Sequence, residues 1–321
     1  MPIYLLWVVL HWTDDKRLNP LVIHVTGLAC ITQYFARNLL ALHLGTYTSI
    51  AVGSLLYFMH VCVVVRTYAG EQAAALPAML ASLISAGDHA RGKNCSLRMT
   101  ADVVPTDPAE WSAAAETYNS IVGLSQQPHF AASNGFRIRA HRRANQSSLE
   151  EYWHARCGKR PVGTCGPAGD CGYIQTDLTL QHVLARSGAN ACDYVLVTNG
   201  DNLYSRSLFR HTCPHLHHGI GMVGFYFSSH YPYSHLYVHQ GRVERSGPDV
   251  LFKTKLTKGW CDLGAVLMRA DLMRTHPDQR AGYHFVDCGP WREADGRLIQ
   301  RFSKRDDVKK VVLDRILYMH Q

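Results

Sequence analysis

"CDYVLVTNGDNLYS", Cys192 to Ser205, runs an apolar segment straight into a polar knot. Tyr194 to Thr198 are apolar or β-prone, and the next four residues are Asn199, Gly200, Asp201 and Asn202. A short apolar run bounded by turn residues reads as a buried strand. The knot itself has two readings. It either reverses the chain, as Asn-Gly and Asp-Asn turns do, or it sets a carboxylate at the carboxyl end of a strand, beside a glycine that admits close backbone approach. In the second case it suits a hard divalent cation such as Mg²⁺ or Mn²⁺, which takes oxygen ligands and bridges phosphate oxygens.

The flanking sequence supplies a sheet for that strand. "HVCVVVRTYAGEQAAALPAMLASLISAG" opens with a β-branched run, Val61 to Val65, and continues after a polar turn with Leu76, Met79, Leu80, Leu83 and Ile84 at helical spacing. "CSLRMTADVV" reads as a strand, "PAEWSAAAETYNSIVG" as a helix opening after Asp107-Pro108, and "FRIRAH" as a short strand. "YIQTDLTLQHVLARSG" has amphipathic helical periodicity and feeds the Tyr194 strand, while "KKVVLDRILYMHQ" reads as a final strand. Strand-helix alternation predicts an α/β fold with a mixed, mostly parallel sheet flanked by helices. Ligands in such sheets sit at the carboxyl ends of the strands, where the knot lies.

The 321 residues, 47% of them hydrophobic, are enough for one large α/β core and give no sign of disorder. Lys+Arg 33 against Asp+Glu 25 leaves a net charge of +8, with 19 His besides. The excess is dispersed in short clusters such as Arg137 to Arg143 and Lys304-Arg305, which argues against a nucleic-acid-binding face.

Ten Cys is high for a cytosolic enzyme, and Cys157, Cys165 and Cys171 crowd a Gly/Pro-rich segment, expected as a Cys-rich insertion over residues 141–172. Their spacing lacks the paired CxxC of a zinc site, so disulfides in an oxidising compartment are the expectation. The sequons Asn94-Cys95-Ser96 and Asn145-Gln146-Ser147 point the same way. From Asn38 to Val65 there is no acidic or basic side chain other than histidine and Arg66 follows; "NLLALHLGTYTSIAVGSLLYF" is long enough, at about 20 residues, to cross a bilayer. With Lys16, Arg17 and Arg37 before it, it would be a type II anchor, leaving residues 60–321 in the ER or Golgi lumen. A buried helix or atypical leader in the 1–59 region is the alternative, since His43, Thr46, Thr48 and Ser49 dilute the run.

The order of these segments, with "GIGMVGFYF", "KGWCDLGAVLMR" and "READGRLIQRF" after the knot, resembles the nucleotide-sugar glycosyltransferases of the A-type (GT-A) fold over roughly residues 60 to 321. The resemblance implies transfer of a sugar from a nucleoside diphosphate sugar to a hydroxyl acceptor on a glycan, glycoprotein or glycolipid, dependent on Mn²⁺ or Mg²⁺ and inverting. In it Asn199-Gly200-Asp201 stands at the Asp-x-Asp motif, with Asn in place of the first acid, and Asp201 is the metal ligand. Arg66, Thr67 and Tyr68 stand where the nucleotide is met, along with Asp177. Gly259-Trp260-Cys261-Asp262-Leu263-Gly264 resembles the loop lining donor and acceptor sugar, with Trp260 a platform for a pyranose, Asp262 an acceptor of hydroxyl hydrogen bonds and Gly264 closing the turn. Asp295 takes the acidic-motif position of the general base, with Glu293 its rival, and His320 that of a late metal ligand. Each acid has an alternative as a helix N-terminal charge. A sugar nucleotidyltransferase and a non-catalytic carbohydrate-binding relative are the competing functions. "RTYAGEQ" lacks the Gly-rich basic signature of the former, and the missing first acid favours the latter.

Overall fold

The computed structural model describes residues 58–68, 71–91, 95–106, 111–131, 135–159, 172–229, 243–246, 249–274, 285–286, 288 and 294–321. The chain divides into two units, Met1–Leu55 and Leu56–Gln321, and every described residue belongs to the second. The charge-free run expected as an anchor lies outside the described residues up to Tyr57, as do Glu293, Asn94, Cys165 and Cys171. Among the described residues no helix is long and apolar enough to cross a membrane.

The described part is a mixed α/β domain of Rossmann-like architecture built on ten strands. Its strands are β1 (Met59–Thr67), β2 (Leu97–Pro105), β3 (Phe136–Ala140), β4 (Tyr194–Asn199), β5 (Leu203–Tyr204), β6 (Met222–Ser229), β7 (Val243–Ser246), β8 (Asp249–Phe252), β9 (Val266–Arg269) and β10 (Lys310–His320). The helices are α1 (Glu71–Arg91), α2 (Trp111–Gln126), α3 (Pro128–Ala131), α4 (Gln146–Cys157), α5 (Tyr173–Leu184), α6 (Leu208–His217), α7 (Ala270–Arg274) and α8 (Ala294–Ser303). Along the sheet the order is β3-β2-β1-β4-β9-β6-β10-β5, with β7 and β8 attached to β6. Parallel pairing joins β3-β2-β1-β4 and β6-β10, and β9 runs antiparallel between the two groups.

β1 shows why a near-unbroken apolar strand forms here. All nine of its residues are buried, because both faces of the sheet are covered. Val61, Val63 and Val65 point into one core with Leu76, Met79, Leu80 and Leu83 of α1. Cys62 and Val64 point into the other, with Leu180 and Val183 of α5 and Leu298, Ile299 and Phe302 of α8. The strict alternation of strand side chains sorts one β-branched run into two cores.

The chain steps from β1 outward to β2 and β3, then returns to lay β4 on the other side of β1. The crevice between the carboxyl ends of β1 and β4 is therefore the topological switch point, where open α/β sheets receive ligands. Arg66 and Asn199 are register partners at that edge.

Among the described residues three disulfides cross the fold: Cys62–Cys192, Cys95–Cys213 and Cys157–Cys288, with sequence separations of 130, 118 and 131. Of the segment expected as a Cys-rich insertion, residues 141–159 and 172 are described. It opens as α4, with Asn145 as N-cap accepting from the Ser148 amide at 2.8 Å, and its first cysteine bonds far outside it.

Candidate functional site

The knot after β4 resolves into four separate jobs. Gly200 sits where a Cβ would come within 3.1 Å of Thr67 Oγ1, and its amide donates to the Arg66 carbonyl at 2.7 Å, so the β1 and β4 rims close on each other. Asn202 is fully buried and braces the turn by donating from Nδ2 to Thr198 Oγ1 at 3.0 Å. Asn199 accepts from Arg66 Nε at 3.0 Å. Asp201 alone carries a carboxylate oxygen that is shut from solvent and has no hydrogen-bond partner. Burial pushes its carboxyl above the ordinary range, and Gln72 and His320 pull against that.

Asp295 has the same orphaned oxygen. The fold delivers it in the first turn of α8, whose Gly296 presses so close to the Lys258–Gly259 backbone that a Cβ there would stand 2.9 Å from Lys258 Cα. Burial raises the Asp295 carboxyl, the Arg66 cation draws it back down, and neighbouring Asp262 pushes it up again. Tyr173 hydrogen-bonds it, and His320 faces it. Arg66 also lies over the Tyr173 ring, 5.0 Å from the centroid. A guanidinium cannot shed its proton, so Arg66 is a fixed cation shared by Asn199, Tyr173 and Asp295. His320, at the carboxyl end of β10, is within 3.4 Å of Ser229 Oγ at the end of β6. Arg66, Asn199, Asp201, Asp295 and His320 thus gather at one rim of the sheet.

Other expected residues are placed differently. Asp262 caps the 3₁₀ turn Leu263–Ala265, its Oδ1 accepting from the Gly264 amide at 2.8 Å and from Tyr318 Oη at 3.0 Å. Gly264 is required by packing, since a Cβ would stand 2.7 Å from the Tyr318 ring. Trp260 has the Lys255 ammonium 3.9 Å from its ring centroid, so one ring face is already engaged by a cation. Tyr68 follows β1, its amide donating to Gln72 Oε1 at 3.2 Å, and Thr67 is fully buried beneath it. Asp177 is not at the rim. It is fully buried in α5 and accepts from the amides of Phe285 at 2.6 Å and Val286 at 3.0 Å, holding the segment that precedes α8.

Tyr173, Gln72, Ser229 and Tyr318 belong to the site and carry no motif. Tyr173 had one signal, the Gly-Tyr opening of α5. Gly172 has a φ of 73° and leaves no room for a Cβ, which would stand 2.6 Å from Thr106.

Asp201 and His320 offer one carboxylate oxygen and one imidazole nitrogen, a donor set that Mn²⁺ or Mg²⁺ accepts with phosphate oxygens and water completing the shell. The orphaned Asp201 oxygen fits such a cation. Two tighter groups among the described residues, His60–Cys62–Cys192 and Cys95–Cys213–His217, hold cysteines committed to disulfides and so offer no thiolate.

No family model and no curated protein matches the chain. Among solved structures it is similar to Staphylococcus aureus TarS residues 1–349, with 12% identity, a TM-score of 0.41, and coverage of 82% of this chain and 60% of that one. It is likewise similar to a longer S. aureus TarS structure, with 12% identity, a TM-score of 0.44, and coverage of 82% and 37%. The chain spans less than two thirds of either.

Proposed function

We propose that this chain is a glycosyltransferase of the A-type fold, moving a sugar from a nucleoside diphosphate sugar to a hydroxyl acceptor with inversion at the anomeric carbon. One observation carries the reading. Two carboxylates, Asp201 and Asp295, each keep an oxygen buried and unpaired at the switch point of the sheet, with the fixed cation Arg66 beside Asp295 and His320 facing both. Leaving such atoms without partners costs roughly 1–3 kcal/mol each, more when charged, a cost that a polar ligand at this crevice would offset.

In this reading Asp295 is the general base. The acceptor oxygen attacks the anomeric carbon, its proton passes to Asp295, and the bond from that carbon to the diphosphate breaks with its electron pair leaving on the phosphate. Base assistance of this kind contributes about 10²–10⁴-fold. Tyr173 and Arg66 fix the carboxylate, and Arg66 adds positive charge beside the departing diphosphate. Asp201 and His320 would hold Mn²⁺ or Mg²⁺, whose chemistry is Lewis-acid neutralisation of that leaving group. Three disulfides support residence in an oxidising, lumenal compartment of the secretory pathway, with the charge-free run before Phe58 as its anchor.

The test is a panel of UDP- and GDP-sugars with Mn²⁺, scoring nucleoside diphosphate release. Release that Asp201→Ala and Asp295→Asn each abolish supports transfer. Pyrophosphate release instead would make the chain a nucleotidyltransferase, and sugar binding without turnover would make it a non-catalytic relative.

A further inference from the structure

A second charged constellation lies at the β3 edge of the sheet, apart from the rim. Alternate residues of β2 (Arg98, Thr100, Asp102) and β3 (Arg137, Arg139), continued by His141, share one face, with Thr100 opposite Arg137 and Asp102 opposite Arg139. The other face of these strands, with Met99, Ala101, Val103 and Phe136, packs into the core against Ile121 of α2 and Phe130 of α3. Arg186, just past α5, reaches onto the polar face and donates to both oxygens of Asp102, at 2.8 and 2.5 Å. His141 Nε2 takes a further place on Asp102 at 2.7 Å.

Asp102 is therefore saturated, and it leaves an excess of cation. Arg98 bonds the Ala189 carbonyl and the His60 ring, while its Nε stays buried without a partner. Arg137 and Arg139 make no hydrogen bond or ion pair among the described residues. Burial lowers the Arg139 pKa, the charges of Arg186, Arg137 and Arg98 lower it further, and Asp102 opposes them. Arg98, Arg137, Arg139 and Arg186 share this face with the single carboxylate of Asp102, and like charges gathered on one surface repel, so the excess is a cost in the unliganded fold. Past β3, Arg142 leaves this face and lies over the Tyr118 ring of α2, 5.4 Å from its centroid, so the stripe is Arg98, Arg137 and Arg139.

We infer that this face binds an acidic glycan, with sulfate groups spaced along an extended chain lying over Arg98, Arg137 and Arg139. Every cation in the stripe is arginine, whose planar fork matches a tetrahedral oxyanion with two parallel hydrogen bonds. Arg137 and Arg139 stand two residues apart on β3, about 7 Å, and with Arg98 on the neighbouring strand they suit more than one charge rather than a lone phosphate. No aromatic side chain interleaves with Arg98, Arg137 and Arg139 on the shared face, whereas single-stranded nucleic acids are held by stacking on such rings. The role is a hold on a charged acceptor, outside the group formed by Arg66, Asn199, Asp201, Asp295 and His320.

The experiment is fluorescence anisotropy with the full chain and a labelled, highly sulfated hexasaccharide at about 50 mM salt, where charge contacts are weakly screened. The expected result is saturable binding that weakens with added salt and fails with the desulfated sugar. Arg137→Gln/Arg139→Gln should weaken it by about tenfold or more, the loss of charge-assisted hydrogen bonds, with Tm unchanged or raised. Arg137→Gln alone, at an exposed position, should weaken it in part. Lys304→Gln/Lys309→Gln, on another exposed surface, should not. Absence of binding, equal binding by the arginine variants, or tighter binding of single-stranded DNA of equal charge would each overturn the proposal. The readout needs no turnover, so it is independent of the glycosyl-transfer reading.

Discussion

Arg66 and Asn199 are 133 residues apart in sequence, yet they are register partners in the sheet and joined by a 3.0 Å hydrogen bond from Nε to Oδ1. The carboxamide at the first motif position is thus occupied in orienting the cation that stands between Asp295 and the crevice. Arg66→Lys keeps the charge and loses the fork. Turnover should fall roughly 10- to 100-fold, the worth of a charge-assisted hydrogen bond, measured as kcat/KM for the best donor.

Arg66→Ala should change the pH profile as well as the rate. Burial already raises the Asp295 carboxyl and Arg66 opposes that rise. A base must be deprotonated, so activity falls as pH drops through its pKa. Removing Arg66 raises that pKa, and the acid limb of log kcat/KM should move to higher pH. An unmoved limb would detach Asp295 from the proton transfer.

Gly296→Ala places a Cβ against backbone at Lys258 and Gly259, where neither side yields easily. The expected cost is about 1–3 kcal/mol of stability, with loss of activity as α8 carries Asp295 out of place. Gly123→Ala in α2 meets nothing within 4 Å and should be neutral or stabilising by up to about 1 kcal/mol. Thermal melts of the two variants separate these outcomes.

Asp177 carries a stability prediction with a defined sign. Burial pushes its pKa up to about 7, against hydrogen bonds from the Phe285 and Val286 amides. The folded state binds its proton more tightly than the unfolded one, so its contribution is fully present below the unfolded pKa of about 4 and is lost as pH rises to 7. Across that window the loss is about 4 kcal/mol at 1.36 kcal/mol per unit. Asp177→Asn should flatten this part of the stability curve, read by urea melts at several pH values.

Reduction of the three disulfides removes closures of more than a hundred residues each. Removing one native disulfide typically costs about 2–5 kcal/mol, so Cys95→Ala/Cys213→Ala should lower the unfolding free energy by about that amount, read as a lower urea midpoint. Dithiothreitol should lower it further in the wild type.

Much of this architecture is legible in one dimension. β1 and β4 announce themselves because strands covered on both faces leave unbroken apolar runs, and the polar knot marks where β4 emerges; β10 shows as two short apolar runs split by the exposed Asp314-Arg315. What stays hidden is pairing over distance. Nothing local links Arg66 to Asn199, Cys157 to Cys288, or Tyr173 to Asp295, because the sheet order and the return of α5 bring them together. Trp260 reads as a free platform until Lys255 is seen over it, and Asp177 reads as a site acid until the Phe285 and Val286 amides are seen on it. α4 lies inside the segment expected as a Cys-rich insertion, and its buried stripe is only Leu149, Trp153 and Cys157 in an otherwise polar sequence.

Calorimetric titration of UDP and GDP into the protein, with Mn²⁺ and then with EDTA, tests the central claim most directly. One of the two should bind with Mn²⁺, lose most of its affinity in EDTA, and fail to bind Asp201→Ala under either condition. Binding of neither nucleotide, or equal affinity in the Asp201→Ala protein, would contradict the account.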